Sequence, residues 1–177
     1  MGGGSQRFNF TLTPINSINY NIKMDKRNME KIYMVGLISS FLLMGCAGII
    51  PDLGVNNGKL TPCPKTPNCV NSQAIGEKCY IQPIDYTGVQ QKARFNLLQV
   101  LESEHQAKIL MAQENYIRAE FKSTFFGFVD DVEFYFSEAQ TSEKVIHIRS
   151  ASRVGYTDFG INRKRIERIQ SKLKQAQ

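Results

Sequence analysis

Two periods of apolar and polar positions alternate along the second half of the chain, and each change of period marks an element. Over 87–104, apolar residues fall at Val89, Ala93, Leu97, Val100 and Leu101. That is one stripe at helical spacing, with Gln90, Lys92, Arg94 and Glu102 elsewhere, and it predicts a helix capped by Asp85 or Thr87. Four strands are predicted next, at 108–113, 116–122, 128–136 and 145–152. In the second, Ile117, Ala119 and Phe121 share a side, opposite Tyr116, Arg118, Glu120 and Lys122. In the third, Phe128, Val132, Phe134 and Phe136 form the apolar side, with Asp130 intruding, and Asp131, Glu133 and Tyr135 face away. The fourth sets Ile146 and Ile148 against His147 and Arg149. A last helix over 162–175 carries Ile166, Ile169 and Leu173 as its stripe.

The links between the strands are short, which makes antiparallel neighbours the natural arrangement. The expected fold is therefore α+β: a four-stranded antiparallel meander flanked by two helices packed on its one apolar face. This single domain is expected over 61–177.

A different pattern precedes it. The apolar stretch 32–45 follows Lys23, Lys26, Arg27 and Lys31, the charge and length of a secretory leader and too short to cross a hydrocarbon core. It ends Leu43-Met44-Gly45-Cys46, which resembles the bacterial lipobox, with Cys46 as the lipidated residue. A mature protein with several acyl chains on Cys46 would stay firmly at the membrane. Ala47 rather than Asp follows it, which by resemblance to bacterial sorting signals implies the cell envelope at the periplasmic face of the outer membrane. Residues 1–45 are thus expected to be extension and leader, with Met24 or Met29 as more natural starts than Met1. The Pro, Gly and Asn of 46–60 are expected to form a flexible tether.

Charge adds little. The net +6 is spread as five Lys/Arg against two Asp/Glu over 1–45 and seventeen against fourteen over the rest. A body of +3 suits an anionic surface but carries no nucleic-acid signature. Cys63 and Cys69 lie in a loop whose prolines, Pro62, Pro64 and Pro67, forbid helix. With Cys79 they allow three disulfide pairings in an oxidising compartment. The shortest ring, Cys63–Cys69, would contribute about 2 kcal/mol. No Cys-x-x-Cys pair occurs, a zinc site would need a distant ligand such as His105 or His147, and no Ser-His-Asp or Cys-His arrangement is recognisable, so no metal, cofactor or catalytic residue is assigned.

The candidate chemistry lies in two segments. One holds Asp130, Asp131 and Glu133 among phenylalanines. The other, 149–165, holds Arg149, Arg153, Asp158, Asn162 and Arg163. If the last two strands pair, Arg149 and Arg153 meet Asp131 and Glu133 across the ladder. Asp130, on the apolar side, must be paired or protonated. Asp130 and Asp131 point to opposite faces and cannot act together. The run Arg163-Lys164-Arg165 with Arg168 is expected to be a solvated helix face or a lipid-headgroup contact.

The stretches CPKTPNCV, GFVDDVEF and RSASRVGYTDFGINRKRIE resemble the hallmark segments of the domain of unknown function 1499 family. The resemblance covers the whole expected domain. It implies a domain on the far side of a membrane, with no assigned activity, and it places Cys63 and Cys69 on the family's paired cysteines.

Three functions compete. The first is a binding or scaffolding module for an anionic ligand, lipid headgroup or envelope partner, which predicts a concave basic patch of Arg149, Arg153 and Arg163. The second is a hydrolase-like enzyme, which predicts a shifted carboxylate beside a cavity. The third is a structural envelope lipoprotein whose charges satisfy one another.

Overall fold

A computed structural model describes residues 25, 26, 30, 48–137 and 144–176. The chain divides into two compact units, Met1–Ser40 and Phe41–Gln177, and the domain below belongs to the second. The expected leader, Cys46 and the polar loop at 138–143 lie outside the described residues.

In chain order the elements are β1 (Val55–Asn56), β2 (Lys59–Leu60), β3 (Cys69–Asn71), β4 (Ile84–Asp85) and α1 (Gln90–Glu102). Then come β5 (Ala107–Ala112), β6 (Tyr116–Lys122), β7 (Val129–Phe136), β8 (Val145–Ser152) and α2 (Ile161–Gln175). The α+β class and the two flanking helices stand. The four-stranded sheet does not: the meander β5-β6-β7-β8 is extended to six strands, because β3 and β4 both pair with the free edge of β8. Every pairing between these strands is antiparallel, and an isolated parallel bridge joins Asn71 to Tyr80. An edge left bare on β8 would expose a row of unpaired backbone groups, and the two short strands cover it.

Register follows the alternation. Ile117, Ala119 and Phe121 of β6 meet Phe134, Val132 and Asp130 of β7 on the inner face. Against that face pack Leu97 and Leu101 of α1 and Ile166, Ile169 and Leu173 of α2, all essentially without exposure. Burying each such side chain contributes about 1.5–3 kcal/mol. Tyr86 closes the edge of this core, its ring edge-on to Phe136 at 6.0 Å. Neither Asp85 nor Thr87 caps α1. Val89 stands at its N-cap without a side-chain bond.

The expected tether is also corrected, because it is folded from Pro51 onward. Asn57 and Gly58 hold φ of 49° and 72°, the paired positive values of a two-residue hairpin turn, and β1 pairs with β2 around them. Leu60 of that hairpin is buried with Tyr116 and Tyr135, forming a second small core on the outer face of the sheet. Pro51 O accepts from Arg118 Nη2 (3.2 Å), and Leu60 N–H donates to Gln73 Oε1 (2.8 Å). Residues 51–60 thus form a strap over the outer face, and β7 is buried on both sides along its whole length.

Candidate functional site

The strap changes the electrostatics of the outer face. Residues on alternate positions of β6, β7 and β8 point outward, and the one-to-one register sets Glu133 against Arg149 and Arg118. Glu133 has no exposure. Its Oε1 accepts from Tyr116 Oη (2.8 Å) and its Oε2 from Arg149 Nη1 (3.2 Å). Asp131, 1% exposed, takes Arg153 Nε on Oδ2 (2.6 Å) and both Arg118 Nη2 (2.8 Å) and Arg153 Nη2 (2.9 Å) on Oδ1. Arg153 also bonds Glu120. Three guanidiniums therefore face three carboxylates under the strap. The predicted cross-strand pairs are present, but the solvated face is not. Arg149 Nε is a buried donor without a protein partner.

The protonation preferences follow. Burial pushes the Glu133 carboxyl up, and the bonds from Tyr116 and Arg149 only partly oppose it. Burial would raise Asp131 as well, but the hydrogen bonds from Arg153 and Arg118 outweigh it and hold that carboxyl low. Burial, then the neighbouring Glu133, drives the Tyr116 hydroxyl up. Burial lowers His147, whose ring stacks on Tyr135 and whose Nδ1 lies 3.3 Å from Ser72 Oγ.

On the inner face Asp130 is paired, as its position demanded. Its partner is Arg165 of α2, at 2.5 Å from Nη2 to Oδ2. The guanidinium lies 4.8 Å over the Phe121 ring, and its Nη1 donates to Asn162 Oδ1 (2.6 Å) and Ser150 Oγ (3.2 Å). The helix face expected to be solvated is thus corrected at Arg165, which is buried. Asn162, without exposure, donates through Nδ2 to Asn68 O and Ser152 Oγ, both at 3.1 Å. It joins α2 to β8 and to the disulfide loop, and presents no atom to a ligand.

Asp158 and Arg163 stand elsewhere. Asp158 accepts from Gly160 N–H (3.0 Å) and Asn162 N–H (2.8 Å), so it caps the start of α2. Arg163 Nη2 donates to Tyr80 O (2.7 Å) and Lys78 O (3.4 Å). Both line a cleft of about 490 Å³ with Lys65, Pro67, Lys78 and Thr157. Its wall is the loop closed by the Cys63–Cys69 disulfide, the pairing that the resemblance implies. Cys79 is free and lines the same cleft; burial, then Glu77, raises its thiol.

The expected patch of Arg149, Arg153 and Arg163 is therefore not formed. Two of the three lie under the strap in ion pairs, and the third lines the cleft. Glu133 is shifted, yet the disulfide cleft, a second cleft beside Tyr116 and Tyr135, and the groove beside Tyr86 are lined by none of Asp130, Asp131 or Glu133. Among the described residues no three His, Cys, Asp or Glu side chains are grouped to hold a metal ion. No described helix is long and apolar enough to cross a membrane.

A family model described as a protein of unknown function (DUF1499) matches residues 59–173. No curated protein matches the chain.

Proposed function

The chain belongs to the DUF1499 family of proteins of unknown function, and from that premise we propose an exported, membrane-anchored lipoprotein whose domain binds an anionic ligand in the disulfide cleft. The basic leader and the Cys46 lipobox support the anchor. The cleft carries the binding reading: it has the size of a small-molecule site, and cations outnumber free anions around it. Lys65 and Lys78 are exposed there, with Arg163 half-buried between them. Of the two carboxylates, Asp158 is engaged by backbone N–H groups. The prolines and the disulfide hold the wall in place before any ligand arrives, which lowers the ordering cost of binding.

The test is an NMR titration of the isotopically labelled full chain with glycerol 1-phosphate and, separately, inorganic phosphate. Shifts confined to 64–69, 77–79 and 157–163, weakened about tenfold in Lys65→Ala/Lys78→Ala and fading with salt, are expected. Preference for glycerol 1-phosphate identifies a lipid headgroup, and equal response identifies a free anion. A flat titration favours the second reading, a purely structural lipoprotein, which is supported by the mutual neutralisation of the charges under the strap.

A further inference from the structure

Large apolar side chains stand exposed at one end of the sheet. Phe125 is 93% and Phe126 71% exposed, and Phe126 stacks on Phe128 with ring centroids 5.7 Å apart. All three belong to the 123–128 loop that joins β6 to β7. The loop after β8 leaves the sheet at the same end, since Arg153 N–H donates to Val129 O (3.0 Å). It carries Tyr156 and Phe159, 73% and 85% exposed. Phe159 holds φ +52°, a left-handed conformation that bulky residues avoid, so an aromatic is displayed where glycine would be easier.

The chain enters the domain at this end too. A Cβ placed on Gly48 would lie 2.7 Å from Arg153 Cβ and 3.0 Å from Val154 Cγ1, so the entering segment lies against the second aromatic loop. Ile49 follows it, 91% exposed. Two peptide steps separate Gly48 from Cys46, at most about 8 Å. Whatever holds Cys46 at a surface holds this end of the sheet there. Charge does not oppose contact with an anionic surface: Asp158 is the one carboxylate within 123–128 and 154–160, and both its oxygens accept backbone N–H bonds. The neighbouring strand end contributes exposed Lys122.

We infer that this end of the sheet is a bilayer-contact surface. The two aromatic loops enter the boundary between headgroups and acyl chains, where aromatic rings are favoured and a single anchor gains a second hold. Thr157 and Asp158, on the second of these loops, also line the disulfide cleft, so the contact brings the cleft to headgroup level. The orientation rests on anchoring at Cys46, as proposed above.

The chain contains no tryptophan, so Phe125→Trp in the full chain gives a single reporter. Phe95→Trp is the control, because Phe95 is exposed on α1, whose first turns bond to the β5–β6 link at the opposite end of the sheet. Each variant is reconstituted with vesicles of phosphatidylcholine and phosphatidylglycerol, with and without brominated acyl chains. Fluorescence is read on the floated fraction, and the mass at Cys46 is measured on the same sample. Roughly twofold quenching of F125W with a blue-shifted emission, against an unchanged F95W, is expected. Equal quenching at both positions, or an F125W emission already blue-shifted without lipid because the loop is buried against a second copy, overturns the inference. Floated, acylated chain with unquenched F125W leaves the anchor standing and removes the contact surface. Quenched F125W with an unmodified Cys46 does the reverse, and a chain that does not float removes both.

Discussion

Asp131 concentrates the polar chemistry of single residues in this protein, because two guanidiniums converge on a carboxylate with almost no exposure. Replacing it by Asn leaves Arg118 and Arg153 buried without their full countercharge, and the expected loss is about 3–5 kcal/mol. The pH dependence has a definite sign. A carboxyl held below its unfolded value stabilises the fold fully above about pH 4, and that stability is lost as pH falls through the folded value. Glu133 acts oppositely: its raised folded value means that stability declines as pH rises from about 4 through that value. Thermal unfolding of wild type and Asp131→Asn between about pH 2 and 7 checks this, since the variant should lose less stability in acid, keeping only the part due to other low carboxyls such as Glu104. Phe159→Gly is expected to raise stability by about 0.5–1 kcal/mol by relieving the left-handed backbone, read as a higher Tm. A lower Tm would show that the exposed ring has a packing role.

The elements were legible where a period was long enough to repeat. The alternation in β6, β7 and β8 makes strand and face legible and sets Arg149 and Arg153 opposite Asp131 and Glu133, because one face of a strand must be apolar to build a core, while the Glu133–Arg149 register comes from the structure. The inner partner of Asp130 was legible too, and was missed. Asn162, Arg165, Ile166, Ile169 and Leu173 are all buried and fall at successive helical spacings, so Arg165 continues the apolar stripe of α2. Its neighbours Arg163 and Lys164 gave it the look of a solvated run. β3 and β4, of three and two residues, are too short to show any period. Asn57-Gly58, a strong hairpin signal, was hidden in a composition that also suits a tether. The strap predicts its own test. Leu60→Ala should cost about 2–4 kcal/mol by opening the small core with Tyr116 and Tyr135, and hydrogen exchange along β7 should rise with it.

For the molecule as a whole, the proposed compartment and anchor rest on residues outside those described. The lipobox resemblance is a matter of sequence, whereas the cleft and the aromatic end emerge only from the folded domain. Cys46→Ser is therefore expected to move the protein from the membrane to the soluble fraction while leaving its Tm unchanged, because the described core does not include that residue. A shift in Tm would mean that the segment before Gly48 packs on the domain. The candidate site could not be read whole from sequence, since Lys65, Lys78 and Arg163 come from three stretches whose meeting depends on β3 pairing with β8.

The strap also has a mechanical meaning. It is the first folded segment after the proposed anchor, and it lies over the ion pairs of the outer face. Any tug between membrane and domain thus meets the contact of Gly48 with Arg153 and Val154 and then 51–60, so the load peels β1 and β2 away before the strands of the six-stranded sheet separate. Pulled from its N-terminal side in a force experiment, the domain should release a short first step of under about 3.6 nm, the contour of the strap less its folded span. That step would let water reach Asp131, whose pairs with Arg118 and Arg153 tie the sheet's strands together, so the force of the later sheet rupture should drop in acid.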